Sequence, residues 1–350
     1  MYSTRTATDS LTGECLITLR GPTLRVTLSP SRGAELMSIQ TLRRSRDDEE
    51  DIEEPRWIEL LHRATELEEP EGDAWQGRAP VLWPAVGRNF TEEQLSGCTE
   101  RPEECRYQLN AATTLPMPLH GFAKDVPWSV GEVKVTAASA STTFVLRSAT
   151  VDASKFAAIY PFDYDVALTY EVADGALSCA LCVTHHGKPE SVDGASTKMR
   201  WAAGTHPTFS VPFERTGNDA GDDEAWARAT LSGSHTIDLG LTKYSCLSGA
   251  AKVHVAPLSL IDFNDNVLGD ESCRVGSTAR GTFSLHSPVD GITVEINTSV
   301  HGDGLCSPLS LSRSLSLSPP LSLSRARSLS LYLSLSLSLS LSRTRITHLC

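Results

Sequence analysis

The chain has 350 residues, 40% of them hydrophobic, which is enough to build a sizeable buried core. Aspartate and glutamate number 43 against 31 lysines and arginines, so the formal net charge is -12 at pH 7. This acidic excess argues against nucleic acid and against anionic membrane surfaces as partners.

Apolar and polar residues alternate along the chain up to about residue 297, which is the pattern of strands with one buried face. The predicted strands are 14–20, 22–28, 33–40, 127–134, 141–148, 162–172, 176–184, 197–203, 228–239, 251–256, 281–286 and 291–297. A short loop containing Gly175 predicts a hairpin between 162–172 and 176–184. Helical periodicity is weak, with 55–68 as the best helical candidate. Many such strands predict an all-β protein built as a large antiparallel β-sandwich.

Composition divides the chain at about residue 300. Residues 1–300 are predicted to form the sandwich domain, with an acidic run at about 46–71 that we interpret as a solvated loop. Between Pro308 and Ser342 the chain becomes a serine–leucine repeat. Residues 301–350 are then either a disordered low-complexity tail or a gene-model artefact, because a TC dinucleotide repeat read in triplets encodes alternating serine and leucine. We favour the artefact.

Two histidines stand in similar surroundings of turn-forming and aromatic residues. His120 lies in Leu119-His120-Gly121-Phe122-Ala123, and His206 lies in Gly204-Thr205-His206-Pro207-Thr208-Phe209. Histidine can donate and accept a proton near neutral pH. His120 alone would be interpreted as a buried structural histidine, but its flanking residues and the matching second motif favour a functional site. Pro207 favours an extended or turn conformation for His206.

These motifs belong to a longer series that resembles the aldose 1-epimerase (galactose mutarotase) family, in particular its broad hexose-mutarotase branch. The similar segments, in order, are 33–39, 57–61, 75–88, 119–123, 160–162 and 204–209. The resemblance implies a galactose mutarotase-like supersandwich. It also implies an isomerase that interconverts the α and β anomers of a small-molecule hexose by acid–base ring opening, with no cofactor and no metal.

The resemblance also implies roles for individual residues. His206 would be the general acid at the ring oxygen, and His120 would hydrogen-bond the sugar near the same atom. Arg88 would hold sugar hydroxyls, for which its planar set of donors is suited. An aspartate binds further hydroxyls in the family; Asp262 and Asp265 are both candidates in this chain, and Asp265 is preferred.

The general base is the point at which this chain departs from the family. The family's catalytic glutamate lies near the C-terminus, but in this chain no aspartate or glutamate follows Asp303. Glu295 is the last glutamate, and it lies on the polar face of a predicted strand. Loss of a general base costs ~10²–10⁴ in rate. Either the true C-terminus is not in this sequence, or the protein lacks its base.

Two other functions stay open. A hexose-6-phosphate 1-epimerase is suggested by the similarity of 120–124 and Trp128 to that branch, with Arg78, Lys124 and Arg200 as candidate phosphate ligands. A non-catalytic carbohydrate-binding protein would keep the pocket without the base. Phosphate-binding loops, HExxH, nucleophile elbows and paired CxxC motifs do not occur in the sequence.

The sequence also bears on location. No signal peptide and no apolar run of membrane-spanning length is recognisable. The nine irregularly spaced cysteines favour free thiols in a reducing compartment, so a cytoplasmic protein is expected. Cys179 and Cys182 should point to opposite faces of one strand, which disfavours a shared metal. The oligomeric state is left open.

Overall fold

A computed structural model of the chain describes residues 1–9, 13–43, 55–62, 77–86, 89–95, 104–110, 112–151, 153–186, 199–214, 219–238, 252–257, 281–298, 315–316, 328–331 and 336–342. Most of these residues lie in antiparallel strands, and the prediction of an all-β antiparallel sandwich is confirmed.

Strands far outnumber helices in both halves of the chain. The first half contains β1 (Ser3–Thr8), β2 (Cys15–Arg20), β3 (Leu24–Ser29), β4 (Glu35–Arg43), β5 (Arg56–Glu59), β6 (Val81–Leu82), α1 (Glu92–Leu95), β7 (Arg106–Gln108), β8 (Thr114–Pro116), β9 (Ser129–Val135), β10 (Ser139–Arg147) and β11 (Tyr164–Ala173). Then follow β12 (Ala176–His185), β13 (Gly204–Thr205), β14 (Thr208–Ser210), α2 (Asp219–Arg228), β15 (Thr230–Asp238), β16 (Lys252–Pro257), β17 (Gly281–Ser287), β18 (Ile292–Thr298), β19 (Leu315–Ser316), β20 (Ser328–Leu331) and β21 (Ser336–Ser342). Short 3₁₀ turns occur at Ala123–Asp125 and Ser148–Thr150, and a π-helical turn at Ala153–Ala157.

Two large sheets form the sandwich. The first has five strands in chain order, β1 to β5. The second has nine, in the order β16-β15-β17-β18-β21-β12-β11-β10-β9. The first sheet packs through β1 to β3 against β9 to β11 of the second. Alternate residues of β11 are buried, as period-two alternation predicts, and they join one core cluster with the inner residues of β2 and β3.

The predicted hairpin between β11 and β12 is confirmed. Ala173 pairs with Ala176, and the loop contains two residues, Asp174 and Gly175, with φ of 50° and 74°. Positive φ at both positions is the signature of the tight turn whose twist matches that of paired strands. Cys179 on β12 is buried and Cys182 is exposed, as their spacing predicted.

Two expectations of secondary structure differ from the structure. The weak helical candidate 55–68 is wrong over its described residues, 55–62, where β5 pairs with β4, in keeping with the strand that the resemblance of 57–61 implies; the sheet supplies partners that local periodicity does not reveal. The strand expected at 197–203 is also wrong within the described residues, because 199–203 are not in a strand and pairing begins at Gly204. Helix α2 was not predicted; among its described residues only Ala225 and Trp226 bury apolar side chains, so its apolar stripe is narrow.

The serine–leucine segment contributes backbone pairing at three places. β21 lies between β12 and β18 in the nine-stranded sheet, and β20 pairs with β14 and with β19. Assignment of 301–350 as a separate tail stays a prediction. Within the described part of the chain, none of the helices has the length and apolar character needed to cross a membrane.

Candidate active site

One short stretch, residues 77–84, is hydrogen-bonded to both of the turns that contain the histidines; we call it the central segment. On one side, β13 pairs with β6, and the backbone N–H of His206 donates to the carbonyl of Pro80 at 3.0 Å. On the other side, the N–H groups of Phe122 and Ala123 both donate to the carbonyl of Trp83 at 3.0 Å. The central segment therefore places the two histidine-bearing turns on either side of a single backbone.

A tight turn fixes His120. The N–H of Gly121 donates to the carbonyl of Pro118 at 2.9 Å, and φ is 66° at His120 and 71° at Gly121. A Cβ atom on Gly121 would lie 2.3 Å from the carbonyl oxygen of Trp83. Gly121 is therefore required for two reasons: its φ is positive, and the two backbones approach each other too closely to admit a Cβ atom.

The two histidine rings stack on each other. Their centroids are 5.7 Å apart, their planes are inclined by 28°, and 3% of His120 and 2% of His206 is exposed. Burial, and to a lesser extent the neighbouring His120, holds the pKa of His206 well below its usual value. His206 is consequently a neutral imidazole at neutral pH, able to donate through one ring nitrogen and accept through the other.

An aromatic cluster supports the central segment. The ring of Trp83 lies 4.5 Å from that of Tyr164, 5.3 Å from Tyr160 and 5.8 Å from Phe122, measured between centroids. All four side chains are buried. Offset and edge-to-face contacts of this kind stabilise each pair by ~0.5–1.5 kcal/mol beyond area burial. The cluster thus forms a rigid base beneath the turn that carries His120.

A buried ion pair ties the central segment to the first sheet. Nε of Arg78 donates to Oε1 of Glu35 at 3.1 Å, and the two side chains are 10% and 6% exposed. Arg78 has a φ of 63°; its N–H donates to the carbonyl of His62, and its own carbonyl accepts from Thr208. Burial raises the pKa of Glu35, and the Arg78 cation opposes that rise.

The remaining predicted site residues divide into two groups. Arg88 and both aspartate candidates, Asp262 and Asp265, lie outside the described residues. Of the predicted phosphate ligands, Arg78 is engaged by Glu35, and Nζ of Lys124 lies 2.8 Å from Asp125. Among the described residues, no cluster of three or more histidine, cysteine or acidic side chains is placed to hold a metal ion.

Sequence reasoning missed the contact between Glu35 and Arg78. A signal was present: both are charged residues surrounded by apolar neighbours, Glu35 in Ala34-Glu35-Leu36 and Arg78 before Ala79-Pro80. A charge in a buried setting requires a partner of opposite charge. Because Glu35 and Arg78 are 43 positions apart, the sequence does not show that each is the partner of the other.

The sequence matches a known family over more than half of its length. Residues 102–299 match the family model described as aldose 1-epimerase, and this stretch contains both histidines. No curated protein matches the chain.

Several solved structures share the fold. One is a galactose mutarotase related enzyme from Lactobacillus acidophilus, with 17% identity, coverage of 95% of this chain and 99% of that chain, and a TM-score of 0.58. Another is a galactose mutarotase-like protein from Lactobacillus casei, with 20% identity, coverage of 93% and 100%, and a TM-score of 0.57. A third, from Clostridium acetobutylicum, has 11% identity, coverage of 97% and 98%, and a TM-score of 0.57. At such identities the likeness establishes the fold, and the expected galactose mutarotase-like sandwich is confirmed.

Proposed function

This chain belongs to the aldose 1-epimerase family, and on that premise we propose that it interconverts the α and β anomers of an unphosphorylated hexose. The observation that carries the proposal is the stacking of two buried histidine rings, 5.7 Å apart, whose turns both hydrogen-bond to the central segment. Paired proton-transfer groups in a buried site suit ring opening, because that reaction needs proton transfers at two fixed positions and no electron transfer.

The proposed reaction begins when protonated His206 donates a proton to the ring oxygen and the proton of the C1 hydroxyl is taken up by water, because no carboxylate follows Asp303 to act as the base. The bond between C1 and the ring oxygen breaks and leaves the open-chain aldehyde. Rotation about the C1–C2 bond and the reverse pair of transfers close the ring on the other face. His120 hydrogen-bonds the sugar beside the ring oxygen, while Arg88 and Asp265 bind its hydroxyls.

The lowered pKa of His206 has a consequence for the rate. A neutral imidazole predominates at neutral pH, so the protonated form that donates most readily is the minor one. Protonated His206 is, in turn, a stronger acid than an ordinary imidazolium. We therefore expect the rate to rise as the pH falls below 7, for as long as the protein stays folded.

An unphosphorylated substrate is favoured by the ion pairs near the site. Of the three candidate phosphate ligands, Arg78 is engaged by Glu35 and Lys124 by Asp125, so a phosphate would have to compete with an existing carboxylate for these two. A hexose-6-phosphate 1-epimerase is therefore the less favoured activity. A cytoplasmic location is proposed because the four cysteines described by the structure are free thiols.

A non-catalytic carbohydrate-binding role is the second candidate, and one sequence observation favours it. No carboxylate follows Asp303, so the family's base has no counterpart in this part of the chain. Without that base we expect a rate ~10²–10⁴ lower than that of a complete enzyme.

Anomerisation of three sugars tests the proposal. Freshly dissolved α-D-glucose, α-D-galactose and α-D-glucose 6-phosphate are followed by polarimetry with the full chain, and binding is measured by calorimetry. Acceleration above buffer with either free hexose supports the mutarotase. Acceleration with the phosphate ester alone supports the 6-phosphate epimerase. Binding of a free hexose without acceleration supports the carbohydrate-binding role, and neither binding nor acceleration overturns all three.

A further inference from the structure

Strand β9 lies at the end of the nine-stranded sheet, and its outer edge pairs with no other described strand. It is the last strand of the nine-stranded sheet, with β10 as its neighbour, and each of its seven residues is exposed. Among the described residues, the backbone of 129–135 makes no hydrogen bond to a strand other than β10. Such an edge offers N–H and C=O groups to another strand.

Three valines of β9 form an apolar stripe on the core side of the sheet. Val130, Val133 and Val135 lie opposite Phe144, Thr142 and Ala140 of β10, which are all buried. Directly opposed residues of an antiparallel pair project to the same face. The valines thus extend the core face, yet they are 44%, 46% and 47% exposed. The first sheet, which reaches β9 through β1, covers them only in part.

The charges between the valines are self-complementary. Glu132 and Lys134 lie on either side of Val133, and both are exposed. In an antiparallel pairing with Val133 opposite the same residue of a second copy, Glu132 of each chain faces Lys134 of the other. A shift by one residue in each strand, in either direction, instead sets Lys134 against Lys134 or Glu132 against Glu132. Like charges directly opposite are destabilising, so the charges select the central register.

We propose that β9 is a self-association site, at which two copies of the chain pair their β9 strands antiparallel about a two-fold axis at Val133. The nine-stranded sheets become continuous across the axis, and the valine stripes of the two copies meet on the same face. A register shift in the β9–β10 ladder between Thr142 and Phe144 places a bulge at 131–132, which limits the regular ladder. The resulting interface is small, and association is therefore weak and dependent on concentration.

Sedimentation equilibrium of the full chain at increasing concentration tests the site through a charge exchange. Glu132→Lys and Lys134→Glu, each alone, set like charges opposite each other twice and should raise the dimer dissociation constant roughly tenfold. The double variant E132K/K134E restores both cross pairs and should return the constant to near the original value. Glu224→Lys, an exposed change on α2, is the control that matches the net-charge change of Glu132→Lys.

The salt dependence of the dimer dissociation constant provides a second test. The cross pairs are solvent-exposed, so the difference between single variants and the original chain should shrink from about 50 mM to about 500 mM NaCl. A dimer whose dissociation constant is unaffected by the single variants, or is not restored in the double variant, overturns the proposal. So does a chain that stays monomeric at the highest concentration reached.

Discussion

Arg78 and Glu35, 43 positions apart, are joined by a 3.1 Å hydrogen bond between buried side chains. Glu35 begins β4 of the first sheet, and Arg78 lies in the central segment that positions both histidines. The pair therefore connects the scaffold to the site. Removing one member leaves the other as an uncompensated buried charge, which costs ~3–5 kcal/mol.

The change Arg78→Met is predicted to destabilise the fold by about 3–5 kcal/mol at pH 8, and by less at lower pH. Burial raises the pKa of Glu35, and without the Arg78 cation to oppose that rise the carboxyl takes a proton more readily. A group with a raised folded-state pKa contributes stability at low pH that is lost as the pH rises. Urea unfolding at pH 8 and pH 5 measures the difference.

Arg147→Met is the control, because Arg147 and Asp165 form an exposed pair at 3.9 Å. We expect little change in stability there. A deficit in Arg78→Met that does not shrink between pH 8 and pH 5 would contradict the assignment of Glu35 as its buried partner.

Gly121→Ala should damage both the fold and the site. The positive φ costs ~1–2 kcal/mol for a residue with a Cβ atom. The 2.3 Å approach to the carbonyl of Trp83 adds overpacking of ~1–3 kcal/mol. Because the turn holds His120, any sugar activity should fall with it. Gly13→Ala separates the two causes, since Gly13 has a φ of 72° and nothing within 4 Å of an added Cβ. Equal losses in the two variants, by thermal or urea unfolding, would show that the contact with Trp83 is unimportant.

Burial of His206 predicts that stability is lost in mild acid. Its folded-state pKa is depressed, so the unfolded chain binds a proton first as the pH falls below about 6.5. The stability contributed by His206 is fully present above that pH and declines by ~1.4 kcal/mol per pH unit below it, until the folded-state pKa is reached. His206→Gln should lack this part of the decline. The free energy of unfolding of both proteins at pH 7.5 and pH 5.5 measures it, and parallel declines would refute the prediction.

Removal of residues 336–350 should leave an open gap in the nine-stranded sheet. β21 pairs with 176–180 of β12 and with 293–298 of β18, and each lost net hydrogen bond costs about 0.5–1.5 kcal/mol. We expect a lower urea midpoint and aggregation through the exposed edges. Removal of 343–350 alone, which keeps β21, is the control. An unchanged midpoint in the longer truncation would instead favour the interpretation of the repeat as an artefact.

The sequence predicted most strands because one-sided burial imposes period-two alternation, as in β11 and β12. It did not predict short pairing segments such as β6 and β13, since two residues carry no period and their partners are distant in the chain. The paired histidine motifs were recognisable from local turn chemistry. Their contact required the central segment, which only tertiary structure reveals. Arg88 and Asp265 stay predictions from resemblance.

The role of the buried histidine pair is tested most directly by the rate of mutarotation of fresh α-D-galactose and α-D-glucose by the full chain and by His206→Asn, followed by polarimetry against buffer. His186→Asn is the control, because His186 is an exposed histidine paired with Asp165. We predict acceleration by the original chain and by His186→Asn, and at least a roughly hundredfold loss in His206→Asn, as expected for a general acid. An unchanged rate in His206→Asn, with the original chain active, would contradict the assignment of this buried histidine pair as the site of proton transfer.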